Sequence, residues 1–213
     1  MKVLVTGFEP FGGESVNPAQ MIAERLPAEI AGAQVARRIV PCVFGQAIDV
    51  VCEAIRQEAP DVVICIGQSG GRNAVTPERV AINVRDARMA DNAGNRPVDE
   101  PIRPDGENAY FSSLPIKAIA EAIRQAGIPA QVSNTAGTYV CNDLMYGLLY
   151  HIRHDFPQVR GGFIHVPFVP EQVADKPGVP ALPLEQMVEA LRIAVATAVT
   201  TQSDLHVSEG AEH

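Results

Sequence analysis

The stretch DVVICI, Asp61–Ile66, limits the possible folds more than any other. An unbroken apolar run has no polar face to offer water. It suits a β-strand covered on both sides, as in a parallel sheet between layers of helices. The rest of the chain is consistent with that frame. Lys2–Val5 is a short β-like run ended by Thr6-Gly7, and Val35–Val40, Arg79–Val84, Gln131–Ser133 and Gly162–Val166 are further extended candidates.

Helical patterns fall between these runs. Asn17-Pro18 combines a capping residue with proline at the first helical position, and predicts a helix to about Leu26. Gln46–Glu58 places Ile48, Val51, Cys52 and Ile55 on one stripe. Ile116–Gln125 starts after Pro115 and stops before Gly127. Tyr139–Phe156 and Leu184–Thr200 carry apolar residues at helical spacing. Alternation without repeats or a linker predicts one α/β domain over residues 1–213, with a central, mostly parallel, mixed and twisted sheet and helices on both faces. The polar tail from Gln202 onward is expected to fray. The long polar stretch 86–110 is expected to be functional or to fold into small hairpins.

Composition narrows the partners. Trp is absent and aromatic residues make up 5%, so Val, Ile, Leu and Ala must build the core. The formal net charge of −8, without a basic stripe, argues against nucleic acid and anionic membranes. No apolar run approaches the roughly 20 residues of a membrane helix. MKVLVTGFEPFGG lacks the core of a signal peptide. These features predict a cytoplasmic protein with reduced thiols, and no CxxC pair points to zinc or redox chemistry.

In sheets of this kind ligands sit beyond the carboxyl ends of the strands. Residues 6–13, 67–78 and 134–141 all start there, and His165 ends a fourth strand. The second segment contains GQSGG, which fits the Gly-x-Ser-x-Gly elbow of serine hydrolases around Ser69. An elbow needs a helix directly after it, and RNAVTPE with Pro77 offers none. A Gly-rich turn close to a ligand is the better reading.

The cysteines differ by setting. Cys52 on a helical stripe and Cys65 within DVVICI read as small core residues. Cys42, after Pro41, is ambiguous. Cys141 follows SNTAGTYV and precedes a helical pattern, so it falls in a helix's first turn. There, free N–H groups and the dipole favour a thiolate. A buried core Cys remains the plain alternative.

Among the histidines, His206 and His213 lie in the tail, and His151 and His154 read as solvated helix residues without a third ligand. His165 in GGFIHVP is either a core histidine or a base beside Cys141. Glu78 in TPERVAIN is the candidate for orienting the imidazole, with a merely solvated carboxylate as the alternative.

Taken together and in order, VTGFEPFGG with VNP, TPERVAIN, SNTAGTYVCN and GFIHVP resemble the pyrrolidone-carboxylate peptidases, or type I pyroglutamyl peptidases, from about Lys2 to Thr200. The resemblance implies an α/β/α sandwich, no metal or organic cofactor, and often a homotetramer. It implies Cys141 as nucleophile, His165 as base and Glu78 as third member. The implied substrates are peptides with an N-terminal pyroglutamate, whose uncharged lactam needs an apolar slot and a few hydrogen bonds.

Phe8 and Phe11 suit the faces of such a ring, or else fill the core. Tyr139, where the family usually has Phe, and Val140 suggest more pocket wall, and the Tyr139 hydroxyl needs a partner. By the resemblance Gln68 meets the lactam, Asn17 supports that network or only caps its helix, and Arg88 lies near the scissile carbonyl or on the plain surface. The competing readings are a serine esterase using Ser69 and a non-catalytic α/β domain that binds a small ligand.

Overall fold

A computed structural model describes residues 1–210 of the chain, so His213 lies outside the described residues. The main sheet has six strands, β1 (Lys2–Phe8), β2 (Glu29–Ile30), β3 (Ala33–Val40), β4 (Val62–Gln68), β5 (Thr76–Pro77) and β8 (Arg160–Val166), in the order β2-β3-β1-β4-β8-β5. The four central strands run parallel, while β2 and β5 are antiparallel edges. A separate two-stranded ribbon joins β6 (Val80–Ile82) to β7 (Ala109–Phe111).

The helices are α1 (Pro18–Arg25), α2 (Gln46–Glu58), α3 (Ile116–Gln125), α4 (Val140–His154) and α5 (Leu184–Thr200), with a 3-10 turn at Pro170–Val173. Along each strand the side chains alternate between two cores. Val3, Val5, Ile64 and Ile164 face α1, α3 and α5. Leu4, Val63, Cys65 and Phe163 face α2 and α4. This is the expected α/β/α sandwich, and Cys52 and Cys65 are core residues within it.

The strand boundaries differ from the sequence reading in informative places. β1 does not stop at Thr6-Gly7 but continues to Phe8. Gly7 is needed for a different reason, since a Cβ there would run into the backbone carbonyl of Ala19. The glycine lets α1 close down on the sheet. Asn17 caps that helix, with Oδ1 accepting from the Ala19 N–H at 3.0 Å. β5 escaped the pattern because it is two residues long and contains Pro77, which an edge position tolerates. Gln131–Ser133 runs beside it, through bridges Val75↔Ala130 and Glu78↔Ser133.

The 86–110 stretch ends in β7 and is pinned by a bridge between Arg85 and Glu100. Residues 202–210, expected to fray, run back along α3. Asp204 accepts from the backbone N–H groups of Lys117 and Ala118, and Glu209 pairs with Arg124 at 2.9 Å.

Candidate active site

β1, β4 and β8 deliver Phe8, Gln68 and His165 to one rim of the sheet. A cavity of about 310 Å³ opens there. Its wall includes Phe8, Phe11, Gln68, Tyr139, Cys141 and His165.

The position of Cys141 follows from two features. It is the second residue of α4, and the N-cap Tyr139 makes no side-chain capping bond. The first N–H groups of a helix have no intrahelical partner, and here no N-cap side chain takes them up. The helix start is held by its next two residues. Asn142 accepts from the Ile82 N–H at 3.0 Å and donates to the carbonyls of Ile82 and Val84. Asp143 accepts from Gly45 N–H at 2.8 Å and pairs with Arg85 at 2.6 Å.

The second feature is Gly67. A Cβ on Gly67 would lie 2.9 Å from Cys141 Sγ and 2.6 Å from Phe163 Cζ. The thiol thus rests over a bare stretch of β4. Gly67 is also the register partner of His165 on β8. Imidazole and thiol therefore share the α4 side of the sheet.

His165 is flanked on its other side by Thr76 of β5. The Glu78 N–H donates to Phe163 O, which sets Glu78 diagonally across from His165. Its carboxylate Oε1 sits 2.6 Å from His165 Nδ1, and both side chains are shielded from water. Glu78 Oε2 is buried without a hydrogen-bond partner.

The electrostatics bear on one expectation. The helix start was expected to favour a thiolate. Burial instead pushes the Cys141 thiol well above its ordinary value, reinforced by Cys42 and Glu78 and opposed by Arg72. Burial likewise lowers the His165 imidazole, with Glu78 pulling the other way. Removing a charge from water works against the partial charge of the helix end. Burial thus favours the neutral form of both the thiol and the imidazole.

Other expected residues fall in varied places. Gln68 lines the cavity, with Oε1 accepting from Gln172 Nε2 at 3.0 Å. The Tyr139 hydroxyl finds its partner in Ala90 O at 3.0 Å, tying the 86–110 stretch to the rim. Asn17 is buried behind the cavity and donates to Glu9 O, bracing the Phe8–Phe11 loop. Val140 packs in the α2–α4 core rather than in the cavity wall. Arg88 is exposed and outside that wall. Ser69 lines the cavity, but the turn after it leads into β5, so no helix follows as an elbow requires.

Two residues escaped the sequence reading. Arg72 lines the cavity and pairs with Glu78, and Gln172 orients Gln68. Arg72 stands six residues from Glu78 in a turn, and Gln172 is far from Gln68 in sequence. No local pattern connects either pair. Cys42, ambiguous by sequence, lines the same cavity, and burial raises its thiol to about 12. His151 and His154 bond locally, to Asp155 and to the carbonyl of Tyr150.

Fold and site together define an α/β protein of the cysteine-peptidase type. A model of the pyroglutamyl peptidase family matches residues 1–201. A pyrrolidone-carboxylate peptidase of Lactobacillus johnsonii is 52% identical, with all of both chains covered. One from Streptomyces coelicolor is 54% identical over 100% of this chain and 99% of its own. Among solved structures, pyroglutamyl peptidase I of Bacillus amyloliquefaciens superposes with a TM-score of 0.93 at 50% identity, covering 96% of this chain and 99% of the other. A mutant pyrrolidone carboxyl peptidase from Pyrococcus furiosus gives 0.90 at 46%, covering 93% and 98%. The chain belongs to the pyroglutamyl peptidase family.

Proposed function

We propose that this chain is a cysteine exopeptidase that removes an N-terminal pyroglutamyl residue from peptides, with Cys141, His165 and Glu78 as its catalytic set. One observation carries the assignment of residues: a thiol at an uncapped helix start shares an apolar cavity with an imidazole whose Nδ1 is bonded to a buried carboxylate. Family membership supports the substrate.

In this reading the lactam ring lies against Phe8, Phe11 and Tyr139, and Gln68 reads its polar edge. Asn17 braces the Phe8–Phe11 loop and Val140 backs the pocket. Arg88 is assigned to the vicinity of the scissile carbonyl on the family resemblance.

His165 Nε2 takes the thiol proton as Sγ attacks the pyroglutamyl carbonyl carbon. Coupling the transfer to attack avoids a free thiolate in a site that disfavours one. The N–H groups at the start of α4 receive the oxyanion, where one donor is commonly worth ~3 kcal/mol of barrier. The C–N bond breaks, and the amine leaves with the proton from His165. Water then attacks the thioester and gives a proton to His165. The sulfur departs, retakes that proton, and pyroglutamate is released. Glu78 fixes the imidazole tautomer and offsets its transient charge. These steps call for no metal or organic cofactor.

The whole chain, residues 1–213, acts as one catalytic unit. We assign it to the cytoplasm, a compartment that keeps thiols such as Cys42, Cys52, Cys65 and Cys141 free. We assign it a homotetramer from the family resemblance. Size-exclusion chromatography with light scattering tests the assembly. Release of a fluorogenic amine from a pyroglutamyl amide, abolished by iodoacetamide, tests the activity. No release from fresh, reduced protein would overturn it.

A further inference from the structure

We propose that Arg72 is a positioning residue for this reaction, a cation that locks Glu78 against His165 and ties both to the loop leading into Cys141. The inference rests on the reading above and adds a residue to it.

One oxygen of Glu78 serves two donors: Oε1 lies 2.6 Å from His165 Nδ1 and 2.5 Å from Arg72 Nη1. The other oxygen is buried without a partner. The same Arg72 nitrogen also donates to Thr76 Oγ1, next to His165 in the sheet. The second guanidinium nitrogen donates to Thr135 O at 2.9 Å, in the segment that runs into α4. A single planar group therefore spans the base-bearing edge of the sheet and the nucleophile-bearing loop. Lysine, with one compact charge, has no matching fork.

The charge has a second consequence. A buried carboxylate beside an imidazole raises the imidazole's proton affinity. A cation on the same oxygen takes part of that effect away. The titratable groups around His165 are Glu78 and Arg72 on the edge side, with Cys141 of α4 over Gly67, its register partner on β4, and the uncharged Phe163 ring beside it. Of the charged groups, Glu78 favours the imidazolium and Arg72 opposes it. Arg72 also favours the Cys141 thiolate. Both influences keep the thiol–imidazole pair working at lower pH.

The test compares wild type with Arg72→Met and Arg72→Lys, using pyroglutamyl amide hydrolysis from pH 5 to 9. Arg72→Met should lose about tenfold or more in kcat/KM at pH 7, and its acid limb should move up by roughly half to one pH unit. Arg72→Lys should lose rate but keep the limb within about 0.3 units of wild type, since charge is retained and the fork is lost. A wild-type limb in a folded Arg72→Met overturns the proposal. If Arg72→Met does not fold, Arg72→Gln carries the same criterion. The pH dependence of Cys141 alkylation by iodoacetamide, read by peptide mass, should move upward in parallel. That readout needs no turnover, so an inactive wild type would count against the peptidase reading and leave this inference testable on its own.

Discussion

His165 Nδ1 lies 2.6 Å from Glu78 Oε1, with both side chains out of reach of water. An ionised carboxylate only accepts, so Nδ1 carries the hydrogen and donates it. Nε2 is left with its lone pair, the form a base beside Cys141 needs. Burial holds the ring below its ordinary value and so favours its neutral form.

Replacing Glu78 by Gln retains the shape and removes the charge. The amide can present its NH2 to Nδ1 and so favour the wrong tautomer. We expect kcat/KM to fall by about 10²-fold, less than in His165→Ala. The carboxylate raises the imidazole's proton affinity, so its loss lowers it further. The acid limb of the pH profile should therefore move down, opposite to Arg72→Met. An upward shift would contradict the assigned electrostatics.

Cys141→Ala is expected to lose turnover and keep the wild-type circular dichroism spectrum. Ser69→Ala is expected to keep most activity, because the turn after Ser69 builds no elbow. Hydrolysis assays on the two variants settle which side chain attacks. Retained activity in Cys141→Ala would sink the thioester mechanism.

Gly67→Ala adds one methyl where Phe163 and the Cys141 sulfur already stand. Overpacking of this kind costs about 1–3 kcal/mol. Displacing the sulfur should matter more, with a loss of about 10²-fold in kcat/KM. Thermal melts and kinetics on one preparation separate the two effects. Near-normal kinetics would show that the thiol does not need its seat on β4.

Gln172→Leu removes the donor that fixes Gln68 Oε1. The bond occupies the amide oxygen of Gln68 and leaves its NH2 as the group to donate to a lactam carbonyl. We expect KM for a pyroglutamyl amide to rise about fivefold, in line with roughly 1 kcal/mol for one such bond. Any residual hydrolysis of a prolyl amide, which lacks the ring carbonyl, should not change. Equal effects on both substrates would mean that Gln172 only supports the fold.

Much of this was legible along the chain because its causes are local. DVVICI declares a strand buried on both faces, and β4 is one. Pro115 and Gly127 bracket α3, and Asn17-Pro18 begins α1. The motifs around Glu78, Cys141 and His165 carried the family resemblance. What escaped depends on separation. β5 is too short to have a period, and its Pro77 reads as a breaker. Arg72 and Gln172 sit in polar segments where a residue bonded to a buried carboxylate or amide looks no different from a solvated one.

By itself the sequence determined the alternation of strands and helices and singled out the three side chains proposed for catalysis, because backbone preference, apolar period and short motifs are properties of neighbouring residues. Only the tertiary structure decided that Gly67 makes room for sulfur on the His165 side of the sheet, that one oxygen of Glu78 holds both His165 and Arg72, and that burial works against charge on the thiol and the imidazole. Those outcomes depend on distances between segments far apart in the chain and on how completely water is excluded where they meet.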